Sequence, residues 1–111
     1  MIPTRLSLAL LITAALGSSA LATRARAQGA EDLYLHKCAI CHGNDGAAHT
    51  MKGRKLKVKD LRSAEVQKLT DAQITQVIAK GKAPNMDGFA DDFTPAQIAD
   101  LVKFVRSLAK P

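Results

Sequence analysis

The chain has 111 residues, with 16 basic side chains against 10 acidic ones and a net charge of +6, a length that holds one small domain at most. Four aromatic side chains and no tryptophan leave little bulk for a core built from protein alone. No Ser/His/acid set and no glycine-rich phosphate loop stands out, so enzyme classes that rest on those arrangements are set aside.

The first segment has the order of an export signal. Residues 1–5 are short and positive, residues 6–16 (LSLALLITAAL) are uninterrupted apolar, and the small-residue sites Ala20-Leu21-Ala22 and Ala25-Arg26-Ala27 follow. That order predicts a secretory signal peptide over residues 1–27, cleaved after Ala27. An uncleaved membrane anchor fits less well. Residues 6–22 are 17 uncharged positions, the lower limit for a span. Arg24 and Arg26 would also put the larger positive charge on the exported side, against the usual bias. Removal of residues 1–27 takes away Arg5, Arg24 and Arg26 and no acid, so the net charge falls to +3 and 84 residues remain. A domain of that size is close to where a protein core becomes marginal. It is short of one large apolar ligand.

Residues 30–41 predict the first helix, with Glu31 and Asp32 at its positive end and Leu33, Tyr34, Leu35 and Ile40 as its apolar positions. Gly43-Asn44-Asp45-Gly46 stops it. At its end stands Cys38-Ala39-Ile40-Cys41-His42. Positions i and i+3 of a helix share a face, so both thiols can reach the two vinyl groups along one haem edge. His42 follows at once and carries an imidazole nitrogen under the ring. C-x-x-C-H is the pattern of c-type haem attachment, and a buried porphyrin supplies the missing bulk.

The same residues have other chemical uses. In an exported protein the two cysteines can close as a disulfide. As a thioredoxin-type dithiol they would need a neighbouring βαβ pattern, which is missing. Zinc held by Cys38, Cys41 and two of His36, His42 and His49 is chemically permissible, but the histidine spacing fits no standard zinc pattern. His36 and His49 are expected to be solvated or locally bonded.

Residues 47–60 read as a loop. It carries Lys52, Arg54, Lys55, Lys57 and Lys59, five positive side chains within eight residues. Nucleic-acid binding would want aromatic platforms and an intracellular address, and both are missing. Two readings remain: a solvated loop, or a docking site for an acidic redox partner, since fixed positive charge raises encounter rates.

Residues 63–69 predict a short helix capped by Ser63. Thr70-Asp71-Ala72-Gln73 is a capping box, Ile74, Val77 and Ile78 repeat at helical spacing, and Gly81 terminates the helix. Between residues 81 and 93 the period disappears, and Pro84, Asn85 and Gly88 mark a loop. Thr94-Pro95-Ala96-Gln97 is a second capping box, with proline where its missing N–H costs nothing. Ile98, Leu101, Val102, Val105 and Leu108 then form the apolar stripe of a closing helix that runs to Ala109. No segment alternates with a period of two. The architecture expected is all-α, with three principal helices and one short one around the haem.

An iron held by His42 needs a second axial ligand if the site is to move electrons, and a methionine thioether is the usual one. Met51 and Met86 both remain after signal removal. Met51 lies nine residues past His42, within reach of an extended chain. Met86 is better placed: its irregular loop is pinned between two capped helices and can present sulfur without breaking helix hydrogen bonds.

The sequence resembles the small single-haem class I cytochromes c of bacteria over all of residues 28–111. Tyr34, the run Cys38-Ala39-Ile40-Cys41-His42-Gly43 and the segment Lys55-Leu56-Lys57-Val58-Lys59-Asp60-Leu61 carry that likeness. So do Glu65-Val66-Gln67-Lys68-Leu69, Gly81-Lys82, the loop around Met86 and Phe104-Val105-Arg106-Ser107-Leu108. The resemblance implies a class I cytochrome c fold whose first and last helices cross, with Tyr34 and Phe104 near the crossing. It implies one covalent haem c, with thioethers to Cys38 and Cys41 and axial ligands His42 and Met86. In the family the ligand methionine is commonly followed by proline, whereas Asp87 follows Met86 here.

The function expected is that of a periplasmic or otherwise exported, non-enzymatic carrier of single electrons between a redox protein donor and acceptor. Docking would run through Lys52, Arg54, Lys55 and Lys57. No nucleic acid is expected as partner, no membrane insertion after signal removal, and a monomer. The rival is a haem protein with an open or displaceable sixth position, ligand-binding or peroxidase-like.

Overall fold

A computed structural model describes residues 5–111, with side chains from residue 18 onward. Residues 1–4, most of the positive segment of the expected signal, lie outside the described residues, whereas the backbone of its apolar run 6–16 is helical. The helices are α1 (Arg5–Lys37), α2 (Ala39–His42), α3 (Met51–Leu56), α4 (Ala64–Gln67), α5 (Asp71–Lys80) and α6 (Pro95–Ser107). Among the described residues there is no strand, only an isolated bridge between Lys82 and Met86. The fold is all-α, as expected. No helix of the described residues is long and apolar enough to cross a membrane.

The core forms where α1 crosses α6. Tyr34 and Leu101 are its most deeply buried side chains, and the Tyr34 and Phe104 rings meet with centroids 4.8 Å apart at 44°. Ala39, Phe93 and Ile98 complete that cluster. The apolar stripe of α6 covers more than one face of the helix: Ile98 and Leu101 turn to α1, while Val102 and Val105 pack with Ile74 of α5. Each such burial contributes about 1.5–3 kcal/mol.

Local signals place the ends of α4, α5 and α6. The Gln73 N–H donates to Thr70 Oγ1 at 3.1 Å while the Thr70 N–H donates to Gln73 Oε1 at 2.9 Å. Thr94 and Gln97 repeat the arrangement with the same distances. Ser63 Oγ accepts from the Val66 N–H at 3.4 Å, so both capping boxes and the Ser63 cap form as the sequence predicts. Arg106 of α6 donates to the Gln67 carbonyl at 2.6 Å and to Asp71 Oδ1 at 2.9 Å. These bonds clamp the α4–α5 junction onto the closing helix.

Five boundaries differ from expectation. Helix α1 starts at Arg5 rather than at residue 30, so Glu31 and Asp32 lie toward its C-terminal end instead of at its positive end, and α4 stops at Gln67 rather than at residue 69. The first helix does not run smoothly into the cysteine motif: the chain bends at Cys38, whose φ is −113°, and α2 restarts at Ala39. The closing helix ends at Ser107 rather than Ala109. The segment 47–60 is not a plain loop, because α3 occupies its middle. Thr50 caps α3 by accepting from the Gly53 N–H at 2.8 Å. With no apolar repeat and no Glu or Gln at the third position, α3 offers neither the period nor the capping box by which the others are read.

Candidate functional site

The cysteine–histidine turn is held from three sides. From α1, the buried Tyr34 hydroxyl donates to the Gly43 carbonyl at 2.7 Å, gripping the residue directly after His42. From the following loop, the Ala48 N–H donates to the His42 carbonyl at 2.7 Å. From α3, Thr50 Oγ1 donates to the Cys41 carbonyl at 3.0 Å. Gly53 makes that last approach feasible: a Cβ there would stand 2.3 Å from the Cys41 carbonyl oxygen and 2.6 Å from that of Ala48. Backbone carbonyls of a four-residue helix have few intrahelical partners, and Tyr34 and Thr50 supply two of the missing donors. Neither role is marked by a sequence motif.

Cys38 and Cys41 are half-buried and free. Burial, reinforced by the neighbouring Cys41, pushes the Cys38 thiol up to about 11; it stays protonated at neutral pH and slow in disulfide exchange. His42 is half-buried, and burial lowers its pKa below the ordinary histidine value. The neutral imidazole is the form that binds a metal. Its Nδ1 is buried with no hydrogen-bond partner. A histidine retained only to fill a core would have that nitrogen paired, so the ring is not explained by packing. Two free thiols one helical turn apart, beside an imidazole whose buried Nδ1 has no partner, fit a covalently held haem.

Met86 is half-buried in the segment after α5. The Lys82 N–H donates to the Met86 carbonyl at 2.8 Å and the Met86 N–H to the Lys82 carbonyl at 3.0 Å. Farther on, the Phe89 N–H meets the Ile78 carbonyl at 2.9 Å and the Ala90 N–H the Ala79 carbonyl at 3.1 Å. Carbonyls in the last turn of α5, which have no helical N–H donors left to bond them, thus anchor the loop. Gly81, at φ +78°, is pressed so tightly that a Cβ would stand 2.4 Å from the Met86 carbonyl oxygen. The loop is stitched down over its length. Met51, the other candidate, opens α3 with 88 % of its surface exposed.

His36 is exposed and its Nδ1 lies 2.8 Å from the Asp32 carbonyl; His49 is also exposed. Among the described residues no group of three or more His, Cys, Asp or Glu side chains comes together as a metal site, so the zinc arrangement does not assemble. The basic cluster divides. Lys52, Arg54 and Lys55 ride on α3, Lys57 takes its left-handed C-cap at φ 54°, and Lys59 is engaged by Glu65.

An all-α fold with crossed terminal helices and a C-x-x-C-H turn at their meeting point defines a small class I cytochrome c. The family described as cytochrome c oxidase, cbb3-type, subunit III matches residues 25–105, and the chain belongs to that family of c-type cytochrome domains. The solved structure of the KustC0563 c-type cytochrome is similar, with 36 % identity and a TM-score of 0.67; the match covers 72 % of this chain and 96 % of that one. No curated protein matches the chain. Membership brings covalently attached haem c with its iron, and haem-based electron transfer with redox partners.

Proposed function

We propose that the protein is an exported, non-enzymatic carrier of single electrons, acting as a monomer between a redox protein donor and acceptor in the periplasm. Cys38 and Cys41 bear the thioether bonds, and His42 and Met86 are the axial ligands. The observation that carries the reading is the buried, unpartnered Nδ1 of His42 beside two free thiols. The bound haem supplies a one-electron couple, and a thioether ligand favours its reduced form. The chain's part is to hold still. Tyr34, Ala48 and Thr50 fix the turn that bears His42, and the bonds to Lys82, Ile78 and Ala79 fix the loop that bears Met86. Apolar walls from Leu33, Phe89 and Phe104 keep water from the interior.

The anchoring of the Met86 loop supports a held sulfur over a displaceable one, and so favours the carrier over a ligand-binding or peroxidase-like protein. Export with removal of residues 1–27 is consistent with where burial begins. Residues 18–29 are exposed, and Ala30, at 3 %, is the first buried side chain described.

The test is an intact mass and a visible spectrum of protein matured in a host with haem-attachment machinery. Expected are the mass of the polypeptide without residues 1–27 plus one haem, a sulfur-to-iron band at long wavelength in the oxidised form, and no rapid carbon monoxide binding by the reduced form. A polypeptide-only mass contradicts the attachment. Rapid carbon monoxide binding contradicts the Met86 ligation.

A further inference from the structure

The helix that leads into the haem turn runs unbroken through Ala25-Arg26-Ala27-Gln28, the segment at which the sequence predicts removal of the leader. Both sides of the Ala27–Gln28 bond contribute to one cleft of about 250 Å³. Its α1 wall holds Arg26 and Ala27 before the bond and Ala30 after it, and its α6 wall holds Asp100, Lys103 and Phe104. Arg26 Nε lies 3.4 Å from Oδ2 of Asp100, a side chain only 17 % exposed. Phe104 also meets the Tyr34 ring in the core. Closure of the core and closure of the cleft therefore share a side chain.

We propose that the folded domain closes its own processing site: a peptidase that reads the A-x-A pattern hydrolyses the Ala27–Gln28 bond only while this part of α1 is off α6. The inference rests on the export reading above and adds an order of events to it. Three observations support it. In an extended chain residues two apart point the same way, so Ala25 and Ala27 can enter one enzyme surface side by side. At ~100° per residue a helix turns them ~200° apart, with Ala27 on the α6 side and Ala25 away from it. Next, the buried Ala30 and Tyr34 fix a helical nucleus just after the bond, and extending a nucleus is far easier than forming one. Last, the Arg26–Asp100 pair holds the leader's final turn against α6. Arg26 is 63 % exposed, so protection comes from the helical backbone and this pair rather than from burial. Hydrolysis adds one water across the amide, leaving a carboxylate on Ala27 and an ammonium on Gln28, and it takes Arg26 from Asp100. Because the bond is reached only by local opening of residues 25–28, its rate follows the population of the open form. A chain whose core closes first keeps residues 1–27, apolar run included.

The experiment uses the full 111-residue chain, loaded by reaction of its reduced thiols with ferrous haem and held in detergent micelles. The probe is purified bacterial signal peptidase, and intact mass follows the appearance of the haem-bearing product 28–111. Three chains are compared. Beside the parent stand Asp100→Lys, which sets like charge against Arg26 and Lys103, and Leu101→Asp, which puts a charge into the α1–α6 core. Thioether bonds keep the haem on an opened chain. Expected is slow cutting of the parent, cutting about threefold faster for Asp100→Lys, and about tenfold or more for Leu101→Asp. Amide hydrogen exchange of the parent should show protection at residues 25–28 that Asp100→Lys reduces. Equal rates for the three chains overturn the proposal while removal after Ala27 stands, as do unprotected amides at residues 25–28 in the parent. An Asp100→Lys chain that is cut at the parent's rate also overturns it. If even Leu101→Asp is left whole, or is cut after Ala22, the export reading fails at its stated bond and the inference falls with it.

Discussion

The Tyr34 hydroxyl donates a 2.7 Å hydrogen bond to the carbonyl of Gly43, joining the last turn of the first helix to the residue directly after His42. Tyr34 is 1 % exposed. Burial, with the charge of Asp45 adding to it, raises its pKa well above the usual phenol value. The hydroxyl therefore remains a donor throughout the working pH range. Tyr34 thus contributes to two structures at once, its ring to the α1–α6 core and its oxygen to the haem turn.

Tyr34→Phe keeps the ring against Phe104 and deletes only the donor. The Gly43 carbonyl loses its buried partner, a loss of about 1–3 kcal/mol. Denaturant unfolding of the haem-loaded protein should show that loss as a lower midpoint with an unchanged slope. Haem methyl shifts in the oxidised protein should move as well, because the turn bearing the imidazole is freed. An unchanged midpoint would mean that the bond contributes nothing.

Met86→Ala should abolish the long-wavelength sulfur band, lower the midpoint potential and admit external ligands to the iron. Met51→Ala should do none of these, because Met51 projects into solvent from the start of α3. Redox titration and carbon monoxide binding of the two variants separate the candidates. Exchange of the two outcomes would reverse the ligand assignment.

Gly81→Ala tests the anchoring of the ligand loop. Gly81 has φ +78°, and a Cβ would meet the Met86 carbonyl oxygen at 2.4 Å and the Gly88 nitrogen at 2.6 Å. Relieving those contacts means moving the Met86 segment, with backbone strain of roughly 1–3 kcal/mol. The sulfur band of the oxidised protein should then vanish at a lower temperature than in the parent, ahead of global unfolding measured by circular dichroism. Coincident transitions would show that the loop does not yield on its own.

Arg62 holds Asp60 through two bonds, Nε to Oδ1 and Nη2 to Oδ2, each 2.9 Å. Hydrogen bonding from Arg62 lowers the Asp60 pKa to about 2, below its unfolded value of about 3.9. The folded carboxyl thus binds its proton less readily than the unfolded one. The resulting stability is fully present above about pH 4 and is lost as pH falls toward 2. Urea midpoints measured between pH 5 and 2 should fall less steeply for Asp60→Asn than for the parent. Parallel profiles would remove the pair from the acid response.

The parts that were readable from the chain are those in which neighbours in sequence do the physical work. The boxes at Thr70 and Thr94 form because a hydroxyl and an amide three residues apart satisfy N–H groups within their own turn. The stripe from Ile98 to Val105 predicts a buried helix face because a helix repeats every 3.6 residues. The C-x-x-C-H spacing is also local, one turn presenting two thiols. Helix α3 escaped because its support is a threonine cap and a close glycine contact rather than an apolar period. For the same reason the basic cluster looked like a continuous loop until the helix, its left-handed cap and the Lys59–Glu65 pair divided it.

By itself, the order of residues determined the all-α class, the capped starts of α4, α5 and α6, the haem motif and the two methionines from which a ligand is chosen, because each depends on contacts within a few positions. Tertiary structure alone decided the rest. It brought Tyr34 to Gly43, across nine positions and onto the carbonyl beside the haem turn; it pressed Gly53 against Cys41; it stitched the Met86 loop to the end of α5; and it set Arg26 against Asp100. Those relationships arise from chain closure, where an unpaired carbonyl or an uncovered apolar surface meets whatever the folded path delivers, and no local repeat records the meeting.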